Sequence, residues 1–441
     1  MTETLAGSAN HNALGELLPP LTRHEAAVEA ARCLMCYDAP CTQACPTHID
    51  IPKFIKKIST NNLRGSARTI LDSNLLGATC ARVCPVQELC EGACVLGAEH
   101  KPIAIGRLQR YAMDYAYSQR LTLFQTEPST GKKVAVIGAG PAGLSCAGEL
   151  AKRGHSVTLF EKRDLAGGLS TYGIIGLREP VEVALAEVEM LSKLGILVEP
   201  DRELGHNLHL PDLQAAFAAV FLGVGLGSTT TLGIPDEGYI LDGLEYIELS
   251  KMDRQKLLVG RNVLVIGAGN TAIDCATIAK RLGAEHVTMV YRRSQKEMTA
   301  YEHEYDFIKR EGVAFAFLTQ PVRVCTENGE VKALECVRMR LGATDSSGRP
   351  APEAVPGSEF CLAADQIVKA TGQEKPSLAS RLKLKTDKGY IQVSDSFETS
   401  LPGVYAGGDC IRARGAASTV MAVQDGKLAA RAIHERLVAH G

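Results

Sequence analysis

The chain has 441 residues, 45% of them hydrophobic and 22% charged, and a formal net charge of −2, a globular composition long enough for about two to four domains. No Lys/Arg-rich block offers a surface to nucleic acid, and no apolar run reaches the roughly 18 residues of a transmembrane helix, so neither nucleic acid nor membrane is an expected partner. Residues 1–10 lack a basic stretch followed by an apolar one, so no signal peptide is expected and the reading places the chain in the cytoplasm.

Residues 1–22, with Pro19-Pro20, read as an extended polar arm. Helical patterns follow at 24–35, at 51–58 with Pro52 in the first turn, at 63–76 and at 105–119. No strand pattern is evident before a linker at 125–132. The character then changes. Residues 133–137 read as a short buried strand, 141–153 as a helix and 156–161 as a second strand, which makes a βαβ unit. The plan recurs at 262–266, 271–282 and 286–291. The expected fold class is α/β: a helical N-terminal domain followed by two doubly wound nucleotide-binding domains.

Each βαβ unit carries a glycine turn. The first is Gly138-Ala139-Gly140-Pro141-Ala142-Gly143, a G-x-G-x-x-G. Gly138 permits the tight turn, Gly140 lets backbone approach a pyrophosphate, and Gly143 allows close helix–strand packing. The helix that follows presents free N–H groups and its positive dipole end. Glu161, about 20 residues on at the end of the second strand, is placed to hold a ribose hydroxyl pair. The second turn is Gly267-Ala268-Gly269-Asn270-Thr271-Ala272, with Ala as a permitted third position. Its second strand ends in Tyr291-Arg292-Arg293 rather than an acid. Arg292 and Arg293 suit a 2′-phosphate and so NADP; the opposing reading makes them a solvated face or pyrophosphate contacts.

Near the C-terminus stands Thr399-Ser400-Leu401-Pro402-Gly403-Val404-Tyr405-Ala406-Gly407-Gly408-Asp409. This T-x-x-P-G-V-Y-A-x-G-D resembles the second FAD motif of flavoproteins related to glutathione reductase, and Ala370-Thr371-Gly372 resembles their A-T-G turn. The resemblance implies FAD, with Gly408 and Asp409 at the ribityl chain, and an FAD domain split by an inserted nucleotide domain. The expected domains are 1–125 for the helical N-terminal domain, 131–250 and 370–441 for the two parts of the FAD domain, and 251–369 for the NAD(P)H domain. The redox Cys pair of disulfide reductases is missing: Cys146, Cys275, Cys325, Cys336, Cys361 and Cys410 are single residues, for which buried packing is the expected role. The flavin's electrons need another exit.

Eight of the 14 cysteines crowd between Cys33 and Cys94. In a reducing compartment such a cluster reads as metal binding rather than a disulfide framework. The first group is Cys33-x2-Cys36-x4-Cys41-x3-Cys45-Pro46, a stretched form of the two-cluster ferredoxin run in which the fourth Cys serves the other cluster. The second contains Cys80, Cys84, Cys90 and Cys94. Zinc is the rival, but these spacings fit its paired C-x2–4-C pattern poorly, and thiolates suit iron–sulfur clusters equally well.

The run from Cys33 through Asp38-Ala39-Pro40-Cys41 to Cys45-Pro46-Thr47-His48-Ile49-Asp50 resembles the N-terminal Fe–S region of dihydropyrimidine dehydrogenase, as does Gly167-Gly168-Leu169-Ser170-Thr171. The likeness runs from about residue 25 to the C-terminus and covers the flavin half of that enzyme, a separate subunit in bacteria. It is similar to the glutamate synthase small subunit in cysteine spacing only. The resemblance implies two [4Fe–4S] clusters, one on Cys33, Cys36, Cys41 and Gln109, the other on Cys45, Cys84, Cys90 and Cys94, with Cys80 left without a ligand role. It adds Gly168 and Leu169 to the flavin contacts. One stretch departs from the family: Tyr172-Gly173-Ile174-Ile175-Gly176-Leu177 lacks the proline and the aromatic of the family's loop beside the isoalloxazine.

The expected function is electron input: oxidation of NADH, with NADPH as the alternative, at FAD, and single-electron transfer through the clusters, with no essential catalytic side chain since the cofactors supply the chemistry. The resemblance implies an FMN-containing, PreA-like catalytic partner that reduces uracil or thymine, in a heterotetramer. A glutamate synthase small subunit or a ferredoxin–NADP oxidoreductase is the alternative.

Overall fold

The computed structural model describes residues 15–345, 348–412 and 417–439; residues 1–14 of the expected arm lie outside them. Six helices build the N-terminal segment: α1 (Arg23–Ala31), α2 (Pro40–Ala44), α3 (Ile51–Ser59), α4 (Leu63–Leu71), α5 (Gly77–Val83) and α6 (Ile105–Ser118). Local chemistry sets their starts. Thr22 and Glu25 form a reciprocal capping box on α1, and the Asp50 side chain caps α3, with Pro52 in its first turn. Ile51, Phe54, Ile55 and Ile58 recur at helical spacing on α3 and are buried against Ile70, Leu108 and Met113. The expected helix over 63–76 stops at Leu71, and a new one begins at Gly77. The short α2 and α5 were not anticipated. Both are too brief for a periodic signal.

The FAD-type region follows with β1 (Lys133–Ile137), α7 (Pro141–Lys152), β2 (Ser156–Phe160), α8 (Leu169–Tyr172), α9 (Val181–Ser192), β3 (Leu197–Glu199), α10 (Leu210–Ala216) and β4 (Ala219–Leu222). The chain next builds β5 (Leu241–Asp242), α11 (Gly243–Met252), β6 (Asn262–Ile266), α12 (Asn270–Arg281), β7 (His286–Val290), α13 (Glu302–Arg310), β8 (Ala314–Ala316), β9 (Thr319–Glu327), β10 (Glu330–Thr344), β11 (Pro350–Ala363) and β12 (Gln366–Lys369). It returns with α14 (Leu378–Arg381), β13 (Thr386–Asp387), β14 (Tyr390–Ile391), β15 (Val404–Ala406) and α15 (Thr419–Ala439).

Two five-stranded parallel sheets result, ordered β15-β4-β1-β2-β3 and β5-β12-β6-β7-β8. In each, the glycine-turn strand sits at the middle (β1 or β6), flanked by the second strand of its βαβ unit. Strand β15, far along the chain, completes the first sheet by pairing in parallel with β4. Both faces of such sheets are covered by helices, so the strands read as continuous apolar runs: β1 is buried from Val134 to Ile137.

The chain divides into two compact units. One comprises 17–171, 178–227 and 375–441, so that the cysteine-bearing helices and the first sheet belong to one body; the other contains 172–177 and 228–374. Leu241–Asp242, counted with the 131–250 FAD segment in the sequence reading, pairs with β12 in the second sheet instead. That unit also carries an antiparallel β11-β10-β9 sheet, unanticipated because its long strands lack clean alternation and shift register twice on either side of β10.

Candidate functional site

The first glycine turn has the geometry its sequence demands. Gly138 has φ 93°, and a Cβ there would lie 2.5 Å from the Gly223 carbonyl; one on Gly143 would lie 1.8 Å from the Gly138 carbonyl. Gly140 by contrast opens onto space, its nearest neighbour being the Gly168 Cα at 4.0 Å. Pro141 opens α7, and no side chain caps its free N–H groups, which leaves them to an anion. Ala142 packs against Gly408, where a Cβ would lie 2.9 Å from the Ala142 Cβ. Glu161 is buried just beyond β2, and its carboxylate accepts the Ala139 N–H at 2.7 Å and the Arg163 N–H at 3.0 Å.

The C-terminal motif meets the same turn. The Gly408 N–H donates to Asp425 Oδ2 on α15 at 3.1 Å, and Ser145 on α7 donates to the Val423 carbonyl at 2.7 Å. Asp409 follows Gly408 in a short 3-10 turn, its carboxyl raised above the usual range by burial and partly restored by Arg412. Leu169 is exposed at the start of α8. Gly138, Gly140, Pro141, Ala142, Gly143, Glu161, Gly168, Gly408 and Asp409 thus collect at the C-terminal edge of the first sheet, the position at which this fold class takes a dinucleotide. The donor set fits FAD: an open backbone cradle, an uncapped helix start and an acid at the strand end.

In the second unit Gly267 has φ 139°, with the Ala370 carbonyl 2.3 Å from a would-be Cβ. Gly269 caps α12 without a side-chain bond, and Asn270, Thr271 and Ala272 form its first turn. Asn270 Oδ1 accepts the Tyr301 N–H at 3.4 Å. The two arginines separate. Arg292 is exposed. Arg293 is 3% exposed and donates to Asp345 Oδ2 at 2.6 Å and the Pro350 carbonyl at 3.0 Å. Its guanidinium holds the chain together, so the pair expected for a 2′-phosphate reduces to Arg292.

The eight clustered cysteines line two recesses. The first is lined by Cys33, Cys36, Cys41 and Cys94. The second is lined by Cys45, Cys80, Cys84, Cys90 and Gln109. The lining differs from the expected partition in one exchange: Cys94 lines the first recess and Gln109 the second. The reason is geometric. Cys41 lies in the first turn of α2 and Cys45 follows its end, and the two line different recesses; Cys90 and Cys94 divide in the same way. Gln109 is buried on α6, and its Nε2 donates to the Gly77 carbonyl at 2.7 Å, which leaves Oε1 as its acceptor. Cys80, expected to have no ligand role, shares the second recess, and its carbonyl accepts the Cys84 N–H at 3.1 Å.

The thiols spread round these recesses, and among the described residues no three His, Cys, Asp or Glu side chains converge on one ion position. Soft donors distributed about a hollow fit a polynuclear cluster, whereas zinc needs four donors about 2.3 Å from one point. Burial pushes Cys41 up to about 11 and Cys90 higher still; binding as thiolates therefore draws on the metal's charge. The six remaining cysteines are not uniformly buried: Cys146, Cys275, Cys336 and Cys410 are, but Cys325 is half-buried and Cys361 exposed on the β9–β11 sheet. No helix among the described residues is long and apolar enough to cross a membrane.

Residues 132–426 match the family described as pyridine nucleotide-disulphide oxidoreductase, and 10–121 match dihydropyrimidine dehydrogenase domain II, 4Fe-4S cluster. Solved relatives share the fold: FprA from Mycobacterium tuberculosis in complex with NADPH has a TM-score of 0.57 at 18% identity, over 71% of this chain and 85% of that one. Lactococcus lactis thioredoxin reductase has 0.55 at 21%, over 70% and 99%. The class is a two-nucleotide flavoprotein oxidoreductase with an iron–sulfur head. The chain is 35% identical to the NAD-dependent dihydropyrimidine dehydrogenase subunit PreT of Escherichia coli K12, over 97% of this chain and 98% of that protein. It is 37% identical to the NADP(+)-dependent formate dehydrogenase subunit beta of Moorella thermoacetica and to the NADPH-Fe(3+) oxidoreductase subunit beta of Geobacter sulfurreducens, spanning 60% of each. The chain belongs to the pyridine nucleotide-disulphide oxidoreductase family, in the group of PreT-type subunits with an N-terminal 4Fe–4S domain. It is an NAD(P)H-dependent flavin and iron–sulfur electron-input protein.

Proposed function

We propose that this protein is the electron-input subunit of a dihydropyrimidine dehydrogenase: it oxidises NADH at FAD and delivers electrons through two [4Fe–4S] clusters to an FMN-containing, PreA-like subunit that reduces uracil or thymine, in a heterotetramer. The observation that carries the reading is the pair of separate cysteine-lined recesses. One cluster takes Cys33, Cys36, Cys41 and Cys94. The other takes Cys45, Cys84, Cys90 and Gln109, with Cys80 beside it. FAD rests on Gly138, Gly140, Pro141, Ala142, Gly143, Glu161, Gly168, Leu169, Gly408 and Asp409; the nicotinamide nucleotide rests on Gly267, Gly269, Asn270, Thr271, Ala272 and Arg292. The domain limits 1–125, 131–250, 251–369 and 370–441 serve this division of labour, with the start of the nucleotide domain moved forward to take in β5.

The two recesses also suggest an order. Val420 of α15, the helix bonded to the FAD motif, lines the second recess, whereas residues of the N-terminal segment alone line the first. Exposed Leu34, Tyr37 and Val95 flank the first. With both groups bound, the second recess would lie on the flavin side and the first would face the partner. When bound, FAD accepts the hydride and the clusters carry single electrons; the chain binds, orients and insulates them. The test is purified protein with NADH and uracil, with and without the catalytic partner, alongside iron, sulfide and flavin counts. Uracil reduction without the partner, or only four irons per chain, overturns the reading.

A second reading has its own support: the relatives with NADP in their names and the exposed Arg292. In it the chain feeds NADPH electrons to a different acceptor subunit, and a preference for NADPH with no stimulation by a PreA-like partner would establish it.

A further inference from the structure

The second recess holds a polar group that the ligand assignment does not use. Asn74 is 1% exposed and lines this recess. Its Oδ1 accepts the Leu76 N–H at 2.9 Å, which fixes the amide orientation, since a backbone donor requires the oxygen there. The Nδ2 end has no hydrogen-bond partner. A buried amide donor left unpaired is costly, and native interiors rarely keep one.

A buried cation stands behind it. Lys427 of α15 is 8% exposed, and its Nζ donates to the carbonyls of Ser73, the neighbour of Asn74, at 2.8 Å and of Thr47 at 3.1 Å. The Thr47 hydroxyl in turn lies 3.4 Å from Cys45 Sγ. Among the described residues no carboxylate comes within ion-pair distance of Lys427; the nearby Glu149 is bound by Arg153 and Lys152. A buried charge without a counter-charge is strongly disfavoured.

We propose that Asn74 is a tuning residue for the second cluster: its Nδ2 donates a hydrogen bond to a sulfur of the group bound there, and Lys427 anchors the Ser73–Asn74 turn while placing a fixed positive charge beside it. Both interactions strengthen as the cluster gains an electron, so both raise its reduction potential. The inference rests on the two-cluster reading above.

The test is a redox titration of the full-length, cluster-loaded protein followed by EPR. Asn74→Asp keeps the acceptor for Leu76 and removes the donor; Asn74→Leu removes it without adding charge; Lys427→Met and Lys427→Arg separate charge from volume. Asn74→Asp, Asn74→Leu and Lys427→Met are expected to shift the midpoint of one cluster, the one perturbed by Cys45→Ser, to lower potential, with the other cluster unmoved and Lys427→Arg close to wild type. Loss of that cluster alone from both Asn74 variants, with the other cluster and the flavin retained, also supports the proposal. Full iron and sulfide content with an unchanged midpoint in the Asn74 variants overturns it, as does equal loss of both clusters, which would assign a folding role. A wild-type protein holding a single cluster instead overturns the two-cluster reading, and the metal count separates that failure from the others.

Discussion

Single residues here are set by burial more than by position in the sequence. Glu187 on α9 is 1% exposed, accepts the N–H groups of Ala78 and Thr79 at the start of α5, and shares the Thr79 hydroxyl with Glu179. Burial is the largest cause that pushes its carboxyl up to about 8, with Glu179 adding to the shift. The folded state therefore holds a proton that the unfolded chain releases near 4.5, and stability contributed by this group is present below about pH 4.5 and lost as pH rises towards 8. By linkage the loss is on the order of a few kcal/mol. Glu187→Gln, which stays neutral, should flatten the fall of thermal midpoint between pH 5 and 8; an unchanged slope would show that Glu187 is not the group responsible. At the second nucleotide turn, Arg292→Ala should raise KM for NADPH about tenfold, the worth of one charge-assisted hydrogen bond, and leave NADH unaffected. Arg293→Ala should instead lower stability by about 1–3 kcal/mol through the lost Asp345 bond. Equal effects of the two on nucleotide preference would count against this separation.

At the scale of elements, the βαβ units were legible because each of their parts is local. Residues 133–137 and 262–266 form the expected strands over the expected spans, since a short apolar run ending in glycine has few other solutions in a parallel sheet. The contact of Gly143 with the Gly138 carbonyl makes the turn intolerant of one methyl. Gly143→Ala should cost about 1–3 kcal/mol of overpacking and reduce the flavin content of the purified protein. Full flavin occupancy would argue that the pyrophosphate is held elsewhere. Helices α2 and α5 escaped the sequence because five or seven residues carry no period. Helix α2 also separates Cys41 from Cys45, which line different recesses.

At the scale of the whole molecule, the arrangement yields a prediction that differs from the partition the resemblance implied. Cys94→Ala should remove the EPR signal also lost in Cys33→Ala and spare the other, whereas Gln109→Ala should alter the signal that depends on Cys45. Loss of the same signal in Cys94→Ala and Gln109→Ala would restore the partition expected from the sequence. Cys80, within the second recess, makes five donors available there. Cys80→Ala should retain four irons at that cluster if Gln109 is the ligand in use, as an iron count will report.

The amino-acid sequence by itself determined the two nucleotide folds, the flavin motif and the presence of an iron–sulfur segment, because each rests on residues a few positions apart whose backbone needs are met locally. The tertiary structure decided what depends on residues far apart in the chain: the parallel pairing of β15 with β4, the joining of the cysteine helices and the first sheet in one compact unit, which recess Cys94 and Gln109 each line, and the commitment of Arg293 to Asp345. It also brought Lys427 to Ser73 and Thr47, and set the unpaired amide of Asn74 at the rim of the second recess. Burial and hydrogen-bond satisfaction are properties of the packed chain, and no local pattern encodes them.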